Sequence, residues 1–312
     1  LLSVAYLTLA ERKILSSIQR RVGPNVVGPV GLLQPLADGL KLFVKQPLTP
    51  IKSNSFLFYF APFLTITLSI ITWAVFPFNL SSILSETNIG ILYILGISSI
   101  GVYGIISSGW SSNSKYALLG GLRSASQMIS YEVSIGIIII CFVLISSSYE
   151  LIHIIDLQKF SWNLFLFYPL AVMLLISGLA ETNRPPFDLP EAEAELVAGY
   201  FIEYSSFGFA YFFIGEYANI IGMSMILTVF LLGAWVFPFP FELLLEFSFG
   251  FKLCFVLFTF VWVRTAFPRY RYDQLMRLGW KSFLPLSLAF LLFYSCFFFS
   301  FKYVFLSKVL NM

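Results

Sequence analysis

An all-α integral membrane protein with about eight spanning helices is the fold class this sequence predicts, and three observations carry that reading. Only 11% of the 312 residues are charged, against 58% hydrophobic and 19% aromatic, whereas soluble domains carry roughly 25% charged residues. The apolar residues come in runs of about 20, the length that crosses a bilayer core at 1.5 Å per residue. The basic residues gather between alternate runs, as the positive-inside rule requires. The whole of 1–312 therefore reads as one membrane domain.

The clear runs are Phe56–Phe76, Ile89–Ser108, Val133–Tyr149, Ser161–Ala180, Phe247–Val263 and Ser282–Phe301. The opening Leu1–Ala10 is uncharged but too short to span, so 1–20 is expected to be a truncated first span whose start precedes Leu1. The stretch Tyr204–Phe241 holds 38 residues with one charge, Glu216, and fits either one long tilted helix, over 207–238, or two short ones. Charge arbitrates. With one span there, segments 11–55, 109–131, 182–203 and 264–281 share a side and carry 7, 2, 1 and 5 of the 19 basic residues. Lys159, Lys252, Lys302 and Lys308 then fall opposite; two spans would give a weaker split of 13 to 6. The basic side is the matrix or cytoplasm. Every span must be helical, because lipid offers no partner to backbone groups and the runs are too long and uniform for barrel strands. Gly96, Gly101 and Gly104 are expected to permit close helix packing.

Cys141, Cys254 and Cys296 each lie alone in an apolar run and read as small buried hydrophobes; His153 reads as a loop residue. None has the spacing of a zinc or iron–sulfur site, so no cofactor bound by this chain is expected. Heavy use of Phe, Ile and Leu is compatible with an AT-rich organelle gene.

The unusual residues concentrate in the basic-side loops. In the first, Glu11-Arg12-Lys13 and Gln19 to Asn25 lead into 29–46, where Leu32, Leu33, Leu36, Leu40, Phe43 and Val44 follow one helix face and Asp38, Lys41 and Lys45 the other. This amphipathic segment is either an interfacial anchor or a gate over a cavity for an amphiphilic ligand. The acidic loop 181–206 opens with Glu181-Thr-Asn-Arg184, then Pro185-Pro186-Phe187-Asp188-Leu189-Pro190-Glu191. The prolines forbid helix, and Asp188 with Glu191 has capping-box spacing for a helix from Leu189. Capping does not account for Glu193, Glu195 and Glu203. Glu132 heads one span and Glu216 lies inside the longest apolar run; intramembrane acids are functional by default, a structural ion pair being the alternative. The basic loop 264–281 interleaves Arg264, Arg269, Arg271 and Arg277 with Tyr270 and Tyr272. That is a topology signal with interfacial tyrosines; nucleic-acid binding is the other chemistry such a pattern supports, and a membrane loop argues against it.

These motifs in this order resemble subunit 1 of respiratory complex I. The resemblance is carried by Glu11-Arg12-Lys13, Arg21-Val-Gly-Pro-Asn25 and Gly31-Leu-Leu-Gln-Pro35, then Glu181-Thr-Asn-Arg-Pro-Pro-Phe-Asp188 with Glu191, Glu193 and Glu195. Glu216-Tyr-Ala-Asn219, Arg264-Thr-Ala-Phe-Pro-Arg269 and Arg271-Tyr-Asp-Gln274 complete it. It implies a multi-pass subunit of the mitochondrial inner membrane, at the heel of an NADH:ubiquinone reductase that translocates protons. Such a subunit has no redox activity in isolation: ubiquinone is the substrate, while FMN and the iron–sulfur clusters belong to partner subunits. Implied partners are hydrophilic quinone-module subunits, small membrane-arm subunits, ubiquinone and phospholipid, with no nucleic acid. By matching position, Arg12, Arg21, Asp38, Phe187 and Arg264 would line or support the quinone tunnel. An acid series from Asp38 through Glu132, Glu181, Glu191, Glu193, Glu203 and Glu216 would couple it to proton movement.

Two rival readings stand beside this one. A related membrane subunit of a hydrogenase or formate hydrogenlyase has a similar fold without quinone reduction. An independent ion transporter predicts an internal inverted repeat, which the sequence does not show.

Overall fold

The computed structural model of the chain describes residues 1–79, 85, 87–159, 161–188, 199–236 and 245–310, without the side chains of 245, 246, 299 and 301–310. Among the described residues every regular element is a helix. In order they are α1 (Leu2–Ile18), α2 (Gln34–Val44), α3 (Ser55–Trp73), α4 (Gly90–Ser111), α5 (Lys115–Ser146), α6 (Leu151–Leu157), α7 (Asn163–Leu166) and α8 (Tyr168–Glu181). They continue with α9 (Ser206–Leu232), α10 (Leu245–Ala266), α11 (Tyr272–Arg277) and α12 (Leu284–Leu310), the last two joined by a π-turn over Leu278–Phe283. Single 3₁₀ turns occur at Pro29–Gly31 and Gly199–Phe201.

Among the described residues six helices are long and apolar enough to cross a membrane: Ser55–Trp73, Gly90–Ser111, Lys115–Ser146, Ser206–Leu232, Phe247–Ala266 and Tyr272–Phe298. Of the eight expected spans, the other two are shorter helices: α1 has 17 residues and α8 has 14. The expected run Ser161–Ala180 is broken into α7 and α8 at Phe167, where φ −121° and ψ 40° leave the helical region. Pro169 fits the break, because it has no N–H to bond back across it, its ring would clash with the carbonyl four residues earlier, and it suits the first turn of the new helix α8.

The basic-side connections are more helical than expected. Most of 109–131 belongs to α5, which starts at Lys115 under a cap in which Ser114 Oγ accepts from the Ala117 N–H at 3.3 Å. With no proline from there to Ser146, nothing stops the helix from running on past the membrane boundary. Likewise 264–281 is mostly α10, α11 and the π-turn, with 267–271 as the link. His153 lies not in a loop but on the exposed side of α6. Only Cys141 is buried; Cys254 and Cys296 face outward. Leu189, Glu191, Glu193 and Glu195, on which the expected helix after Asp188 rests, lie outside the described residues.

The helix α9 is the axis of the fold. It is single, answering the one-or-two question, and ends where Gly233 takes φ +66°, a conformation that suits glycine. Of its most apolar 18-residue window 83% is buried, against 50% or less for the other long helices. Its last carbonyls are met by side chains from neighbouring elements: Gln158 Nε2 donates to Val229 O at 2.9 Å, Asn163 Nδ2 to Phe230 O at 3.0 Å and Lys252 Nζ to Leu232 O at 2.7 Å. Lys252, inside the expected span Phe247–Val263, is thus a buried helix cap.

Two glycine contacts position the site. A Cβ on Gly104 would meet Thr65 Cγ2 at 2.5 Å, which sets α4 tightly on α3. A Cβ on Gly120 would meet Gly199 Cα at 2.7 Å, so α5 holds the Gly199–Phe201 turn against itself, backbone to backbone. Gly96 and Gly101, by contrast, have nothing near enough for a Cβ to touch.

Candidate functional site

Three features meet around α9. The first is a cavity of about 90 Å³ between α3, α4, α8 and α9. Apolar side chains form most of its wall, with Glu181, Glu216, Tyr200, Ser98, Thr65 and Asn219 as polar groups. The turn that α5 holds delivers Tyr200, whose hydroxyl donates to Glu216 Oε1 at 2.9 Å. Glu132 stands behind the wall. Its Oε1 accepts from Ser98 Oγ at 3.1 Å and from Ser99 Oγ, and its charge is close enough to repel that of Glu181. Of the predicted acid series, the cavity lining thus holds Glu181 and Glu216, with Glu132 behind it.

The second feature is a clamp on α1. Glu11, only 6% exposed, accepts from Arg264 on α10 and from Tyr217 Oη on α9 at 2.6 Å. Arg184 Nη1 lies 3.7 Å away, and its guanidinium stacks 4.4 Å from the Tyr217 ring centroid. Two guanidiniums and a phenol around one carboxylate make a fixed, strongly bonded charge. The sequence points to Arg264 as a tunnel residue but gives Glu11, Arg184 and Tyr217 no role. Only the isolated Glu11 at the end of an apolar run could mark the clamp.

The third is a groove of about 670 Å³ between α1, α2 and the start of α9. Val4, Leu42, Phe43, Phe207 and Phe213 line it, together with Arg12, Asp38 and Lys41 at the polar end. The size lies within the range of small-molecule sites. Arg12 Nη1 donates to Asp38 Oδ2 at 2.7 Å across the mouth, and Gln34 Nε2 to Asp38 Oδ1 at 3.0 Å. The helix α2 is anchored to α9 where Ser206 Oγ donates to Leu42 O at 3.0 Å and Phe43 meets Phe207 edge-on at 4.9 Å. Elsewhere α2 leaves Leu36, Leu40 and Val44 exposed.

The remaining predicted residues fall elsewhere. Arg21 is exposed in the loop after α1 and does not line the groove. Phe187 is a buried core ring between Tyr131 and Tyr270, at 6.3 and 5.6 Å. Its carbonyl accepts from Gln127 Nε2 at 2.8 Å. A side chain this enclosed braces the loop. Asp188, read as a cap, accepts from Arg269 Nη2 at 3.1 Å and ties the acidic loop to the basic one. Glu203 is half-buried and outside the cavity lining. Among the described residues no three His, Cys, Asp or Glu stand together to hold a metal ion.

Comparison with known proteins bears on these features. A family model described as NADH dehydrogenase matches residues 1–295. The chain is similar to NADH-ubiquinone oxidoreductase chain 1 of Chondrus crispus, 58% identical over 293 residues, covering 93% of this chain and 90% of the relative. For the Arabidopsis thaliana protein of the same description the identity is 59% over 293 residues, with 93% and 90% covered. For an NADH-quinone oxidoreductase subunit of Paramagnetospirillum magneticum it is 56% over 296 residues, with 93% and 86% covered.

Proposed function

Because this chain belongs to the NADH dehydrogenase family, as a multi-pass membrane subunit of an NADH:quinone oxidoreductase, we propose that it admits ubiquinone through the groove and couples its reduction to proton movement through the acid cavity. The subunit works in the mitochondrial inner membrane beside the hydrophilic quinone-module and small membrane-arm subunits, and FMN and the iron–sulfur clusters belong to partner subunits. In that setting α1 and the broken pair α7–α8 complete eight crossings. The pair covers 163–181, about 28 Å at 1.5 Å per residue, close to a bilayer core. Helix α2 lies in the interface with its exposed leucines in lipid, and the segments 181–206 and 264–281 face the matrix.

One observation carries the reading. Consecutive residues of α9 point into the two kinds of site: Glu216 into the acid cavity, and Tyr217 into both the groove lining and the Glu11 clamp. Reduction of a quinone that has entered by the groove, with electrons from the partner subunits and protons taken up at the headgroup, changes charge or proton count at the tunnel that Tyr217 borders. The rigid, buried helix puts the Glu216 carboxyl one residue away. At an effective dielectric near 20, charges several ångströms apart couple by a few kcal/mol, enough to redistribute protons among Glu216, Glu181 and Glu132. Arg12 and Asp38 flank the entrance; Arg264 acts through Glu11. Glu191 and Glu193 extend the acid series on the strength of the sequence motif alone.

Two measurements on the assembled complex test this. A photoreactive quinone analogue should label peptides containing 1–12, 34–45 and 204–217; labelling confined to other parts of the chain would refute the groove as the entrance. Glu216→Gln should lower the number of protons moved per NADH oxidised. Normal turnover and stoichiometry in that variant would end the coupling role of the cavity.

A further inference from the structure

We propose that Tyr200 is a positioning residue for Glu216, setting the direction of its carboxylate in the cavity; the assignment rests on the coupling role proposed above. The phenol does not merely follow its partner. Its backbone is fixed independently, by the Gly199 contact with Gly120 of α5. Its ring, 1% exposed, is packed against Phe201 and Phe212 with centroids at 4.0 and 5.5 Å. The hydroxyl therefore points at Glu216 because of the fold around it, and donates at 2.9 Å.

One chemical consequence follows. The phenol donates to the ionised carboxylate. A phenol also accepts, so when Glu216 carries its proton the same contact survives with donor and acceptor exchanged. Glu216 thus keeps one orientation in both protonation states, in the cavity that Glu181 also lines. Turning between two orientations would instead add a reorganisation step to each cycle. Tyr200 also belongs to a second link. Four residues on, Tyr204 lines the quinone groove and shares a hydrogen bond of 3.3 Å with Ser111. The segment 200–204 thus contributes to both spaces.

The test uses the assembled complex with Tyr200→Phe, which removes one oxygen from a packed ring, alone and combined with Glu216→Gln. Tyr200→Phe should leave the quinone KM unchanged and lower kcat about tenfold, the factor for losing one hydrogen bond to a charged group. In the Glu216→Gln background the same change should add nothing, since the group it acts through is gone. An equal further loss in the double variant would make Tyr200 a packing residue and overturn the proposal. So would full kcat in Tyr200→Phe while Glu216→Gln is impaired. If Glu216→Gln is itself normal, the coupling reading fails first, and this assignment with it. Glu216→Asp, which withdraws the carboxyl by one methylene without touching the Tyr200 packing, should reproduce the loss in kcat, and full kcat there also counts against the proposal.

Discussion

Residues 216 and 217 of α9 serve two acid sites that are built in opposite ways. At the clamp, one carboxylate, Glu11, is surrounded by Arg184, Arg264 and the Tyr217 hydroxyl. At the cavity, Glu181 and Glu216 line one space with Glu132 behind its wall, and the donors described are hydroxyls: Tyr200 on Glu216, and Ser98 and Ser99 on Glu132. Guanidiniums fix a charge, because a buried carboxylate with permanently cationic partners has no reason to take a proton. Hydroxyls satisfy hydrogen-bonding capacity but supply no opposite charge, so protonation remains the way to relieve repulsion between neighbouring acids. The contrast separates a carboxylate that holds three helices together through guanidiniums from carboxyls whose described donors are hydroxyls.

The sharpest way to break this contrast is to remove the fixed charge. Glu11→Gln leaves Arg184 and Arg264 facing a neutral amide in a buried site, and truncating one member of such a group typically costs about 3–5 kcal/mol. Since α1, α9 and α10 all meet at Glu11, we expect a large fall in the melting temperature and yield of the assembled complex. If the variant assembles and melts like the native protein, the clamp is not what fixes α1.

A smaller change sharpens the other side. Ser98→Ala with Ser99→Ala strips two donors from Glu132 and leaves its carboxyl in place. Hydrogen bonds to a charged group contribute about 1.5–3 kcal/mol each, but Ser98 is only half-buried and Ser99 is exposed, so water can replace them. The expected result is a loss of stability of no more than about 2 kcal/mol, with a clear change in proton stoichiometry. A loss as large as that of Glu11→Gln, with stoichiometry intact, would mean that Glu132 is a structural charge too.

The sequence makes one half of this contrast more legible than the other. Carboxyls inside apolar runs announce themselves, so Glu132, Glu181 and Glu216 stand out, and the single helix through Glu216 follows from the distribution of Lys and Arg. Their partners do not stand out. Tyr200 meets Glu216 because two glycines let a turn touch α5, and Ser98 reaches Glu132 across a helix pair; neither has a local spacing to betray it. The clamp is hidden for the same reason, since Glu11 and Arg264 lie at opposite ends of the chain. The role of Lys252 is hidden too, because hydropathy windows do not reveal that the carbonyls around Leu232 need a cap. Helix ends are misjudged where the pattern of apolar residues stops but nothing in the backbone does, as in α5, and where Pro169 interrupts a run that remains apolar. The family relationship favours the quinone oxidoreductase over the hydrogenase and transporter alternatives.

The mildest test concerns the groove mouth. Arg12 and Asp38 are paired at 2.7 Å, but their side chains are 52% and 40% exposed. An exposed ion pair contributes about 0–1 kcal/mol, weakened further by salt. Arg12→Gln should therefore leave the melting temperature nearly unchanged, unlike the clamp variant one residue away. Its effect belongs to entry. With the latch between α1 and α2 loosened, a long isoprenoid tail meets a less ordered mouth, and KM for a long-tailed quinone should rise about threefold, the factor carried by roughly 0.6 kcal/mol. A short-tailed analogue, which needs less of the groove, should show little change. Equal effects on both quinones would move Arg12 from the entrance to the headgroup, and no effect on either would leave the Arg12–Asp38 pair as a surface contact.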